Sequence, residues 1–122
     1  MNSSLTSPRL SFRLVLGPDI AIGPGKADLL AAVAETGSIS AAGRSMGMSY
    51  KKAWYLLDTM NRCFREPLVE ASKGGRGHGG ATLTAMGREV LDRYRRIEAR
   101  ASSAVDDELA AFAGLVVSKE PT

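Results

Sequence analysis

Ser38-Ile39-Ser40-Ala41-Ala42-Gly43-Arg44-Ser45-Met46-Gly47-Met48-Ser49-Tyr50-Lys51-Lys52-Ala53-Trp54-Tyr55-Leu56-Leu57 is the stretch on which the fold turns. Two short helices that cross steeply need small residues where their backbones touch. They also need a glycine where the turn takes a left-handed conformation, and apolar residues at the remaining inward positions. Ala42, Gly43, Met46, Gly47, Met48, Ala53 and Leu56 meet those demands in order. Ser38 or Ser40 can cap the first helix, whose inward residues are Ile39, Ala42 and Met46, and Ser49 can cap the second. The second helix is predicted over about 50–64, with Ala53, Leu56, Leu57, Met60 and Phe64 on its buried side, before Pro67 bars continuation. Alone, this spacing fits ordinary helical packing as well as a helix-turn-helix. A basic second helix followed by a hairpin makes it specific.

Upstream, residues 10–16 alternate, with Leu10, Phe12, Leu14 and Leu16 on one face as a half-buried strand requires. Gly17-Pro18-Asp19 breaks the run and Ile20, Ala21 and Ile22 form a second short strand. From Lys26 the pattern turns helical, with Ala27, Leu29, Leu30, Val33 and Ala34 in one stripe and Gly37 at the C-cap. Downstream, residues 68–71 and 81–83 read as two strands paired across the loop 72–80. Thr84 caps a last long helix, in which Ala85, Gly87, Val90, Leu91, Tyr94, Ile97, Ala101, Ala104, Val105, Leu109 and Phe112 recur at spacings of three and four. Nothing upstream is large enough to cover so long a stripe, so its distal half is expected to pack on a second copy of itself.

The chain has 122 residues, 44% of them hydrophobic and 24% charged, which suits one ordered domain with an appended element. Residues 1–9 and 118–122 read as tails, 10–83 as the domain and 84–117 as the appended helix. No apolar run approaches the length of about 20 residues that spans a bilayer, and the first residues lack the apolar core of a secretory signal. A cytoplasmic protein is the expectation. The net charge of +3 is unevenly spread. Residues 38–80 hold seven positive and three negative side chains, residues 1–37 balance, and the remainder carries one negative charge in excess. A basic excess confined to the middle third suggests a polyanionic partner.

One cysteine, Cys63, and one histidine, His78, rule out an intramolecular disulfide and a zinc cluster of Cys and His ligands. Cys63 reads as a small buried hydrophobe. Asp106, Asp107 and Glu108 spread around a helix as a solvated acidic face, and no nucleophile stands with a base, so no catalysis is expected. Gly75, Gly77 and Gly80 match G-x-G-x-x-G, but that fingerprint must open a helix inside a βαβ unit, and here a strand follows. A glycine loop carrying Lys73, Arg76 and His78 between paired strands suits instead a wing that tracks phosphates or the minor groove; a plain surface loop is the competing reading.

The outward residues of the 50–64 helix are Tyr50, Lys51, Lys52, Tyr55, Thr59 and Arg62. In a helix-turn-helix the N-terminal part of this helix enters the major groove, where donors meet guanine edges or phosphates. Ser49, Tyr50, Lys51, Lys52 and Tyr55 are therefore the candidate DNA contacts on the helix, and Lys73, Arg76 and His78 those on the wing. Trp54 could be core, an edge of the hairpin packing or a stacking platform, and its size assigns it to the core.

Three segments resemble the N-terminal domain of the ModE-type molybdate-dependent regulators: 37–42, Gly47-Met48-Ser49-Tyr50-Lys51-Lys52-Ala53-Trp54, and 74–84. The likeness covers residues 10–112, and a more distant one to the LysR-type winged helix fits the same layout. The resemblance implies a homodimeric, duplex-DNA-binding transcriptional regulator, with the N-terminal strands and the C-terminal helix serving dimerisation. Full members carry C-terminal oxyanion-binding domains that sense molybdate. This chain stops soon after the helix, so no cofactor and no molybdate site are expected, and a separate sensor protein is the alternative source of a signal.

The expected fold is mainly α with small β: a winged helix-turn-helix with N-terminal strands, a two-stranded wing and a long C-terminal dimerisation helix. Val90, Tyr94, Ile97, Ala101 and Val105 are the expected dimer contacts. The competing function is a protein-interaction module whose basic helix meets an acidic protein partner.

Overall fold

The computed structural model describes residues 8–72 and 80–117. Lys73, Arg76 and His78, three of the expected DNA contacts, lie outside the described residues. The elements are β1 (Leu14–Gly17), β2 (Ile20–Ile22), α1 (Pro24–Thr36), α2 (Ile39–Ser45), α3 (Tyr50–Cys63), β3 (Val69–Ser72), β4 (Gly80–Leu83), α4 (Ala85–Ala104) and α5 (Asp106–Ala113). The architecture is a winged helix-turn-helix, as the spacing predicts. Phe12–Tyr94 forms one compact unit, and the residues before Phe12 together with those from Arg95 onward form another.

In the larger unit, β1 and β2 make an antiparallel hairpin with Leu14 opposite Ile22 and Val15 opposite Ala21. The register shifts between Val15 and Gly17, so the predicted period-two face does not persist. The strand starts at Leu14 rather than residue 10, and Leu10 and Leu16 are exposed while Phe12 and Leu14 pack on the core. Helix α1 starts two residues earlier than the periodicity suggests, because Pro24 occupies its first turn, where a missing N–H costs nothing. It ends at Gly37, whose φ of 71° lets its N–H reach the Val33 carbonyl. Ala27, Leu29, Leu30 and Val33 are buried, whereas Ala34 at the edge of the stripe is exposed.

The Ser38 hydroxyl, rather than that of Ser40, caps α2 by accepting from the Ala41 N–H at 3.0 Å. The turn into α3 runs through Gly47, with φ of 70°. Ser49 then caps α3, its Oγ accepting from the Lys52 N–H at 3.1 Å. Where the two helices cross, a Cβ on Gly43 would stand 3.1 Å from the Ala53 Cβ and 3.3 Å from the Met48 carbonyl oxygen, which explains the small residues at both positions. Ala53, Leu57 and Met60 are buried, with Leu56 and Phe64 half-buried beside them. Cys63 is only half-buried, on the edge of that packing.

Strands β3 and β4 pair antiparallel from Val69 opposite Leu83 to Ser72 opposite Gly80. Thr84 ends the wing and starts α4: its Oγ1 accepts from the Gly87 N–H at 2.9 Å and donates to the Pro67 carbonyl at 2.6 Å. The core that results holds Ile22, Leu29, Leu30, Val33, Leu68 and Tyr94 as its largest fully buried side chains.

Tyr94 corrects one expectation. It is 1% exposed, its hydroxyl donates to the Phe12 carbonyl at 3.0 Å, and its ring lies 5.5 Å from that of Phe12. A side chain enclosed by its own protomer is not a dimer contact. A second correction concerns the C-terminal helix predicted over 84–117. Helix α4 stops at Ala104, and Val105, with φ of −114° and ψ of 17°, separates it from α5. The Val105 N–H is shared between the Ala101 and Ser102 carbonyls, and Asp106, Asp107 and Glu108 fill the first turn of α5, where the helix dipole favours acids. In the smaller unit Ile97 is exposed, Ala101, Val105 and Leu109 are half-buried and Phe112 is exposed. Among the described residues no helix is long and apolar enough to cross a membrane.

Candidate nucleic-acid interface

Helix α3 turns its buried stripe inward and leaves the rest of its surface open. At about 100° per residue, Lys51, Tyr55 and Arg62 point most directly away from the core, with Lys52 and Thr59 to one side and Tyr50, Trp54 and Asp58 to the other. Lys51 and Lys52 are exposed, and Tyr50 and Tyr55 are 56% and 60% exposed. Trp54 is 48% exposed, against its expected place in the core. Ala53 and Leu57 already fill the inward positions beside it, so the indole is left on the flank.

That flank borders a cleft of roughly 330 Å³, lined by Ser38, Ile39 and Ser40 of the α2 start, by Tyr50, Trp54, Leu57, Asp58 and Asn61 of α3, and by Val69, Glu70, Ala71 and Gly80 of the wing. Two sets of hydrogen bonds hold the wing there. The Ala81 N–H donates to the Gly37 carbonyl at 2.9 Å, joining β4 to the α1–α2 junction. The Asn61 amide brackets β3: its Oδ1 accepts from the Leu68 and Val69 N–H groups at 2.9 and 3.1 Å, and its Nδ2 donates to the Val69 carbonyl at 3.1 Å. Helix α3 and the described strands of the wing are thereby fixed side by side.

The first turn of α3 contains no acidic residue and two lysines. Cations at a helix N-terminus oppose its dipole and cost stability, whereas an anion placed there is drawn by the dipole and by both ammonium groups. Two turns later Asp58 is paired with Arg62, a hydrogen bond and charge contact that hold the guanidinium pKa above its ordinary value. The carboxylate is thus partly neutralised within the helix. On α2, the exposed Arg44 donates to Ser40 Oγ at 3.2 Å and adds a further cation. Among the described residues no group of three or more His, Cys, Asp or Glu side chains could hold a metal ion.

The sequence pattern of the bacterial regulatory helix-turn-helix proteins of the lysR family matches residues 26–88, a little over half the chain, from the start of α1 into α4. The chain belongs to that family. Relatives of this lysR-family chain include the molybdenum-pterin-binding protein MopB of Rhodobacter capsulatus, 46% identical over 78 residues, covering 64% of this chain and 29% of MopB. The DNA-binding transcriptional dual regulator ModE of Escherichia coli (strain K12) is 36% identical over 88 residues, covering 70% of this chain and 34% of ModE. The chain therefore spans about a third of the length of these curated relatives. Among solved structures, the CbnR_DBD–DNA complex matches with a TM-score of 0.56 and 29% identity over 71% of this chain and 94% of that one. The resemblance to ModE-type regulators read from the motifs agrees with these relatives.

In this lysR-family domain the structure gathers Ser49, Tyr50, Lys51, Lys52 and Tyr55 onto the exposed first turns of α3. Ser49 Oγ accepts the cap bond from the Lys52 N–H, and its O–H remains a donor at the exposed start of the helix. Sequence reasoning missed Asn61 and Trp54. The available signal for Asn61 was an amide at the edge of the buried stripe, seven residues ahead of a strand that follows a proline. For Trp54 it was the crowding of one helix face by Ala53, Leu57 and Met60, which leaves no room for an indole.

Proposed function

We propose that this chain is a sequence-specific duplex-DNA-binding transcription regulator that acts as a homodimer, with α3 in the major groove and the wing on the flanking backbone. The reading is carried by one observation: the first turn of α3 is exposed, capped, free of acids and doubly basic, and stands across a cleft from the wing. A lysR-family chain with a DNA-binding ModE relative and a neighbour solved on DNA supports the same partner. Lys51 and Lys52 contact guanine edges or phosphates, Tyr50 and Tyr55 add hydroxyl donors, and Lys73, Arg76 and His78 of the wing hold the backbone.

The test is a DNA titration at several salt concentrations, using fragments selected from genomic DNA by the wild-type chain. Phosphate contacts impose a log–log slope of about −0.9 per neutralised phosphate. Lys51→Ala and Lys52→Ala should each weaken binding and, where the lysine meets a phosphate, flatten the slope by about one, while Arg76→Ala weakens all sequences alike. Unaltered affinity in all three variants removes the site, and a chain that binds no duplex even at low salt points to the acidic-protein reading.

A further inference from the structure

Trp54 is the one tryptophan of the chain, and the structure leaves it on the surface of α3. Burying a side chain of this size is among the largest apolar gains available to a small domain, so an indole half in water on a helix with a well-filled core is an uncollected gain. Its neighbours say what collects it. Tyr50 lies one turn ahead on the same flank, and Tyr50, Lys51 and Trp54 together line a shallow, mostly apolar depression. Lys51 places a cation at its rim. On the other side of the two rings the cleft carries the carboxylates of Asp58 and Glu70. The exposed Glu70 repels phosphates from that side, Asp58 adding less because Arg62 partly neutralises it, and the lysines attract them on the other, so a duplex held by Lys51 and Lys52 turns base edges, rather than backbone, toward the rings.

In the major groove the one apolar group that a base presents is the thymine 5-methyl. We infer that the exposed faces of Trp54 and Tyr50 read thymine methyl groups, which makes Trp54 a specificity-determining residue for the bound sequence. This rests on the DNA-binding reading and adds to it a base and a chemical group. The lysines supply affinity through charge, and the two rings supply preference through a methyl contact that water satisfies poorly. Tyr55, nearer the centre of the outward face and away from this depression, is not part of the contact.

Replacing each thymine of a selected duplex in turn by deoxyuridine tests the inference, because it keeps base pairing and removes only the methyl. For the wild-type chain, one or more positions should lose about fourfold in affinity, the worth of one buried methyl-sized group. With Trp54→Ala the same replacements should lose most of their effect, keeping only what the Tyr50 ring supports, the double variant Tyr50→Ala/Trp54→Ala should lose it altogether, and Trp54→Phe should retain part of the sensitivity. The emission of the single tryptophan supplies a readout that needs no variant: it should be quenched or shift to shorter wavelength as the duplex saturates the wild-type chain. A wild-type chain indifferent to every replacement, a Trp54→Ala variant as sensitive as wild type, or an emission unchanged on binding each overturns the inference while leaving DNA binding intact. A wild-type chain that selects no duplex at all overturns the DNA-binding reading itself.

Discussion

Gly87 and Gly25 both sit in helices, yet replacing each by alanine should act in opposite directions. In the first turn of α4, a Cβ on Gly87 would stand 2.0 Å from the Leu68 carbonyl oxygen and 3.2 Å from the Leu68 Cα. Both are backbone atoms of the segment that Thr84 ties to the helix, since the Thr84 N–H donates to that same carbonyl at 2.9 Å. The wing base must therefore move, and overpacking of this kind costs about 1–3 kcal/mol. Near the start of α1, a Cβ on Gly25 meets nothing within 4 Å. Alanine there restricts the unfolded chain without straining the fold and should stabilise by about 0.4–1 kcal/mol. Urea unfolding of the two variants checks the pair, and equal midpoints would show that the helix α4 start is looser than the packing described.

At the scale of elements, the angle between α3 and the wing depends on Asn61. Its amide satisfies two N–H groups and one carbonyl of Leu68 and Val69, both of which are buried. Asn61→Ala leaves backbone groups unpaired away from water, at about 1–3 kcal/mol for each group left unmade. Asn61→Asp keeps an acceptor for the two N–H groups but turns an oxygen on the Val69 carbonyl, so its cost should fall between alanine and wild type. Urea midpoints should rank wild type above aspartate above alanine, and aspartate at or below alanine would contradict the bracket. The sequence marks only the amide at the edge of the buried stripe and not its partners, which are main-chain groups seven and eight residues away, across a turn, and carry no residue signature. The helix-turn-helix was legible for the opposite reason: Ser38, Gly47 and Ser49 act on backbone groups within three residues of themselves or on their own φ. The Trp54 placement failed because size argues for burial on average, whereas occupancy of the inward positions decides it here. The break at Val105 was masked by an apolar stripe that continues across it, since periodicity does not register an N–H shared between two carbonyls.

At the scale of the whole molecule, the proposed dimer is the claim most open to a single measurement. Of the expected contacts, Tyr94 is enclosed in the core, and a change there would unfold the protomer rather than report on a partner. Ile97 is the sharper probe: it is 41% exposed, Ala101 follows it four residues on along α4, and Val105 stands four further at the break before α5. An isoleucine left in water costs nothing to replace by a charge, whereas one buried between copies loses its apolar contact and strands a carboxylate. Ile97→Asp should therefore convert a dimer to a monomer by light scattering, with no loss of far-ultraviolet helix signal. Because two copies on one duplex neutralise twice the phosphates of one, the salt slope of the variant should fall to about half that of wild type. Halved mass with an unchanged slope would mean that the duplex, rather than Ile97, brings the copies together. A dimer of undiminished strength would move the interface away from this stripe.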